Sequence, residues 1–161
     1  MKIQLVPLGL AFGALALFAS SPAVAALDDP AMAGRWSGTA DIVVNWTTQR
    51  TLRVDLVIAT DGSVTGTVGD AKLSGAQLTR NRGALGRALH VKTDYIVTGD
   101  LRGDIIAAEG IRREGTATLP LNWVGGHFEG GLHTSGSSFG GKEKMVLTAT
   151  RLKLHQNPPA P

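Results

Sequence analysis

The residue types most open to chemistry lie in Leu132-His133-Thr134-Ser135-Gly136-Ser137-Ser138-Phe139-Gly140-Gly141-Lys142-Glu143. Gly136 to Gly140 fits G-x-S-x-G, with Ser138 in the nucleophile position. That motif works on a strand-to-helix elbow, with an acid and a base supplied further along the chain. Here a strand pattern follows, no Asp lies downstream, and His155 near the chain end is the one base. Gly136 to Lys142 also fits G-x-x-x-x-G-K, but Glu143 stands where a Ser or Thr would hold magnesium, and a carboxylate there repels phosphate. Both catalytic readings fail on context. What remains is a Gly/Ser loop between two strands, whose backbone N–H groups, with Ser135, Ser137 and Lys142, form a candidate anion nest beside His133.

Two further clusters carry residue types suited to binding. His127, Glu129 and His133 share one face of a strand pattern, as metal ligands would. In a straight strand, however, His127 and His133 stand about 20 Å apart, at ~3.4 Å per residue. Bonds of about 2 Å cannot join both to one ion, so no metal site is expected. Arg80, Arg82, Arg87, His90 and Lys92 form a basic run without an intervening acid, a candidate contact for an anionic surface. No aromatic residue interleaves with it to stack a base, which argues against nucleic acid. Trp36 and Trp46 have the same parity in one strand pattern, yet lie about 34 Å apart along it, too far to sandwich one sugar ring. Each is expected to cap an end of the core.

The elements that must position these residues are strands. From Gly34 onward the apolar period is two. Leu52, Val54, Leu56 and Ile58 alternate with Arg53, Asp55 and Val57. Thr60-Asp61-Gly62-Ser63 has the composition of a tight hairpin turn. Strands are predicted over 36–46, 51–58, 64–69, 71–79, 93–101, 115–124, 127–134 and 143–154. A bulge is expected near Thr150 or Arg151, where the apolar parity switches from Met145, Leu147 and Ala149 to Leu152 and Leu154. The one candidate helical turn lies in 82–90. Gly66, Gly99 and Gly130 each sit between apolar residues two positions away on the same face. Such glycines mark a close backbone approach, a sharp bend or room for a ligand, and bending is the plainer reading.

About eight strands at this spacing predict an all-β fold, a single antiparallel barrel or closely related sandwich, with one short helical turn at most. Residues 1–25 read as a secretory signal peptide: Lys2, an apolar stretch from Ile3 to Phe18, then Ala23-Val24-Ala25. Cleavage after Ala25 would leave 161 − 25 = 136 residues, one domain's worth, placed in the periplasm or secreted and not membrane-spanning. Residues 26–33 form a lead-in, 34–154 the barrel domain and 155–161 a Pro-rich tail expected to stay out of any sheet. There is no cysteine, hence no disulfide and no lipid anchor on one. Loss of Lys2 takes the formal charge from +3 to +2, too little for a nucleic-acid footprint.

Gly34-Arg35-Trp36 opening the first strand resembles the G-x-W start of calycin-type barrels, the lipocalin and fatty-acid-binding group. The resemblance covers three residues and the strand count. It implies that Trp36 plugs one end of a barrel that holds a small apolar ligand. The low aromatic content and the missing cysteines depart from secreted lipocalins.

The sequence therefore predicts a non-catalytic, cofactor-free binding module of the bacterial cell envelope. A small apolar or amphipathic ligand would sit in or at the mouth of the barrel, near His133, Ser135, Ser137, Lys142, Trp36 and Tyr95. The first alternative is a module with a filled core that binds an envelope protein partner. The second is a hydrolase using His133, Ser135 or Ser138, Lys142 and an acid such as Asp94.

Overall fold

Alternation in the sequence becomes a wall with two faces. A computed structural model of the chain describes residues 27, 29–81, 93–109, 111–112, 114–137 and 147–158, with backbone alone at 111, 112, 114, 136 and 137. Its strands are β1 (Gly34–Ile42), β2 (Thr51–Ile58), β3 (Ser63–Val68), β4 (Ala71–Arg80), β5 (Tyr95–Arg102), β6 (Asp104–Ile106), β7 (Ile111–Arg112), β8 (Glu114–Val124), β9 (His127–Ser137) and β10 (Thr148–Asn157). Eight of them close in the order β1-β10-β9-β8-β5-β4-β3-β2, every pair antiparallel. This is an up-and-down barrel, which leaves no strand edge unpaired. β6 and β7 form a separate two-stranded ribbon inserted between β5 and β8.

The antiparallel order gives the cylinder two ends. Gly34, Ile58, Ser63, Tyr95, Val124 and His127 lie at one, here called the base. Ile42, Thr51, Val68, Arg102 and Thr148 lie at the other, the rim.

In β2 the inward set is Leu52, Val54, Leu56 and Ile58, each no more than 2% exposed. Leu119, Leu121, Leu132, Leu152 and Leu154 from the opposite wall are fully buried. These inward side chains belong to one hydrophobic core cluster that fills from both walls. The expected bulge lies between Ala149 and Leu152, with Arg151 at φ 53°, and it restores inward parity to Leu152 and Leu154. At the predicted hairpin, Asp61 accepts hydrogen bonds from the Ser63 amide (2.9 Å) and hydroxyl (2.7 Å), while Gly62 takes φ 80°.

The three core-facing glycines mark crowding. A Cβ on Gly130 would collide with the Pro120 carbonyl, one on Gly66 with the Asp55 carbonyl, and one on Gly99 with Ala76 Cβ. The neighbouring strand lies close over each of them, so the reason for these glycines is close approach rather than the bend that was the plainer expectation, and the spaces are not ligand room.

Both ends are stopped. At the base, the 3-10 turn Pro30–Met32 crosses the opening, capped by Asp29, whose carboxylate accepts from Ala31 N at 2.8 Å. Trp36 Nε1 donates to the Met32 carbonyl at 2.9 Å, and Met32 and Trp36 are each 1% exposed. Phe128 packs edge-on to Trp36 (centroids 4.8 Å) and to Tyr95 (6.4 Å), and tilted against Trp123 (4.8 Å). At the rim, the ribbon folds inward and buries Ile105 and Ile106 completely. Asp70 N donates to the Ile105 carbonyl (3.2 Å) and Ala107 N to Asp70 Oδ2 (2.9 Å). Glu109, from the 3-10 turn Ala107–Glu109, holds the β1–β2 loop: its Oε1 accepts from Thr48 N (3.0 Å), Thr48 Oγ1 (2.5 Å) and Gln49 N (3.1 Å). The Thr48 hydroxyl first, then that of Thr47, holds this carboxyl below its usual range.

Several expectations need correction. β1 ends at Ile42, so Trp46 is not in the same strand as Trp36. It lies in the rim-side loop that Glu109 draws across the opening, half-buried against the core. The tail does enter the sheet: Gln156 pairs with Trp36 and Asn157 with Arg35, because the prolines begin only at 158. Gln156 Nε2 donates to Ala33 O (2.9 Å), tying this end to the base lid. β9 runs on to Ser137, and the Gly115–Gly136 and Glu114–Ser137 pairs put residues assigned to the Gly/Ser loop into the ladder. The signal segment 1–25, the turn expected in 82–90 and the start of the strand expected at 143 lie outside the described residues.

Candidate functional site

The predicted site residues divide between the two faces of the wall. Trp36 and Tyr95 point inward at the base, in the aromatic plug. His133 and Ser135 point outward toward the rim, exposed on β9. These two sets do not converge on one ligand. Ser135 and Ser137 are strand residues rather than the mouth of an anion nest. Ser138, Lys142, Arg82, Arg87, His90 and Lys92 lie outside the described residues, and Arg80 ends β4 at the base. Asp94, the acid proposed to reach His133, sits at the base end instead. Its Oδ2 accepts from Trp123 N at 3.3 Å, while His133 faces Thr148 toward the rim (3.4 Å).

Ser135 does take part in a constellation that its sequence spacing did not reveal. Register aligns Ser74, Asp100, Thr116 and Ser135 across β4, β5, β8 and β9. Thr116 and Ser135 share a hydroxyl hydrogen bond of 2.6 Å. Above this row Lys72 stands opposite Arg102, two like charges on adjacent strands. Where β5 meets β8, the outer wall is dented by an open depression of about 410 Å³ lined by Asp100, Leu101, Arg102, Gly115 and Thr116. Gly115 contributes no side chain to fill it. Among the described residues, the Asp100 carboxylate and the Arg102 guanidinium make no ion pair or side-chain hydrogen bond, so both are available to a ligand. The signal in the sequence was weak: Asp100 and Arg102 alternate with buried Leu101 as any strand would.

Nearer the base, β9 and β10 carry a second outward cluster. Glu129 Oε1 is 2.8 Å from Lys153 Nζ and 3.0 Å from His127 Nε2. Lys153 first, then His127, pulls the Glu129 carboxyl down to about 2. A carboxyl depressed on folding stabilises the fold above its unfolded value, near 4.5, and that contribution is lost as pH falls toward 2. Thermal stability is therefore expected to fall between pH 5 and 2, as measured by calorimetry. The fall should be shallower in Glu129→Gln, and equal slopes would remove Glu129 from the account. Among the described residues, no three of His, Asp and Glu stand together as ready-made metal ligands.

Fold and surface together define an up-and-down eight-stranded barrel with a buried aliphatic core and an ionic depression on its outer wall. Comparison with protein-family models, with curated proteins and with solved structures gave no match. No helix among the described residues is long and apolar enough to cross a membrane.

Proposed function

We propose that this chain is an exported, non-catalytic binding module of the cell envelope that takes its ligand on the outside of the barrel, at the rim-side depression between β5 and β8. The observation that carries this reading is the contrast between the two faces. Leu52, Leu119, Leu121, Leu132, Leu152 and Leu154 are 0% exposed inside, whereas the outer wall offers about 410 Å³ with Asp100 and Arg102, neither of them ion-paired among the described residues. A pocket of that size suits a small ligand, and a few convergent polar groups fix its orientation. Arg102, opposite Lys72, would take an anionic group in bidentate fashion, and would lose like-charge strain in doing so. An amphipathic anion fits this chemistry. The signal-like leader supports export. An envelope protein presenting a carboxylate to the same depression is the alternative, favoured by the packed core.

The test is amide and methyl NMR of the chain titrated with dodecyl phosphate, and with dodecyl maltoside as the neutral comparator. Saturable shifts at 98–102, 114–118 and 133–137 with the phosphate alone, weakened at least tenfold by Arg102→Ala, are expected. Shifts centred on the methyls of Leu56, Leu119 and Leu152 would show an interior ligand and overturn the reading.

A further inference from the structure

His127 and His133 stand too far apart along β9 to share an ion. The fold supplies a different second imidazole, from β10. In the β9–β10 ladder Lys153 pairs with Glu129 and Leu154 with Phe128, so one further step in the same register sets His155 opposite His127. Side chains directly opposite on one face of an antiparallel pair have Cβ atoms about 4.5–5.5 Å apart. The two rings are indeed stacked, with centroids 5.4 Å apart and planes 21° from parallel. Both face outward: the His127 side chain is 25% accessible and His155 is exposed.

We propose that His127 and His155 form a two-imidazole clamp for a borderline divalent transition ion, Cu2+, Ni2+ or Zn2+. Imidazole nitrogens bind such ions at about 2.0–2.1 Å, so two donors on one ion stand about 3–4 Å apart. Rotation of the His155 ring about χ2, a soft torsion in histidine, turns a ring nitrogen toward the held His127 ring without moving the backbone. Glu129 acts one step behind. Its Oε1 accepts from His127 Nε2 at 3.0 Å, which leaves Nδ1 as the lone-pair donor and fixes the ring. Lys153 engages the same carboxylate oxygen at 2.8 Å, which holds Glu129 in this supporting role rather than as a third ligand. The ion's remaining positions stay open to water or a second molecule. The order Ni2+ < Cu2+ > Zn2+ makes Cu2+ the tightest of the three.

The experiment titrates the full chain, made without a histidine tag, with CuCl2 and with NiCl2, followed by calorimetry and by imidazole 15N signals. One equivalent of Cu2+, bound more tightly than Ni2+, is expected to perturb His127 and His155. His127→Ala and His155→Ala should each weaken binding at least tenfold, and Glu129→Gln by about tenfold, the usual effect of losing an outer partner of a ligand. His90→Ala/His133→Ala, which removes the other two histidines, should bind as the parent does. Absence of saturable binding, a loss below tenfold in either single-histidine variant, or a loss in the His90/His133 control overturns the clamp.

Discussion

Replacing Trp36 by alanine is expected to lower the free energy of unfolding by about 3–5 kcal/mol, the range for removing a large buried aromatic side chain. Small domains have only about 5–15 kcal/mol in total, so this one change takes a large share of the stability. Three losses coincide. The indole is 1% exposed and packs edge-on against Phe128 and Trp123, with centroids at 4.8 and 5.6 Å. Its N–H holds the Met32 carbonyl at 2.9 Å, and that bond anchors the turn across the base. Met32 itself, fully buried under the turn, loses the wall it packs on. Denaturant unfolding should show a lower midpoint at unchanged slope. Trp36→Phe separates the contributions, since it keeps a ring against Phe128 but leaves the Met32 carbonyl without its donor, for about 0.5–1.5 kcal/mol of hydrogen-bond loss plus the smaller ring. A Trp36→Ala protein within 1 kcal/mol of the parent would show that the plug is not where stability resides.

How much of this was legible depended on whether a residue's role follows from its own strand or from its neighbours. The wall was readable because Leu52, Val54, Leu56 and Ile58 alternate with Arg53, Asp55 and Val57, and period two has one structural meaning. The bulge was readable because a parity switch between Ala149 and Leu152 cannot fit an unbroken ladder. The rim plug was not. β6 is only Asp104–Ile106, too short for a period, and its consecutive Ile105 and Ile106 are both buried, so no alternation marks it. Gln156 and Asn157 carry no apolar signal either. They are in the sheet because β1 supplies the partners and Gln156 can reach the Ala33 carbonyl.

The surface sites were hidden for the same reason. Strand periodicity relates His127 to His133, six residues on, whereas the ring stacked on His127 belongs to β10 and depends on the β9–β10 register. Likewise Ser135 lies in a Gly/Ser run, but its hydroxyl partner, Thr116, is on β8. Glycine was ambiguous in sequence, since bend, close approach and cavity all select it. Only the position of the adjacent backbone separates these.

That ambiguity yields the second large expected effect, at Gly38 of β1. Its backbone is ordinary strand, without a positive φ, so any penalty for a side chain must be steric. A Cβ there would collide with the Lys153 carbonyl oxygen, and would lie 2.7 Å from the carbonyl carbon and 3.2 Å from Leu154 Cα. These are backbone atoms of β10, which cannot rotate away as a side-chain tip can. The β1–β10 seam, in register from Arg35–Asn157 through Thr39–Lys153, would have to open locally to admit one methyl group. Overpacking typically costs about 1–3 kcal/mol, and a rigid obstacle puts Gly38→Ala at the upper end. Gly75→Ala is the matched contrast: φ is 60° and nothing lies within 4 Å of the added carbon, so only the left-handed conformation is penalised, by about 1–2 kcal/mol. The two should also differ in place. Hydrogen exchange in Gly38→Ala should quicken at Ser37, Thr39, Lys153 and Leu154, while Gly75→Ala leaves those amides protected. If Gly38→Ala unfolds at the parent's midpoint with that seam still protected, the barrel is wider than its glycines imply, and the case for a solid interior weakens with it.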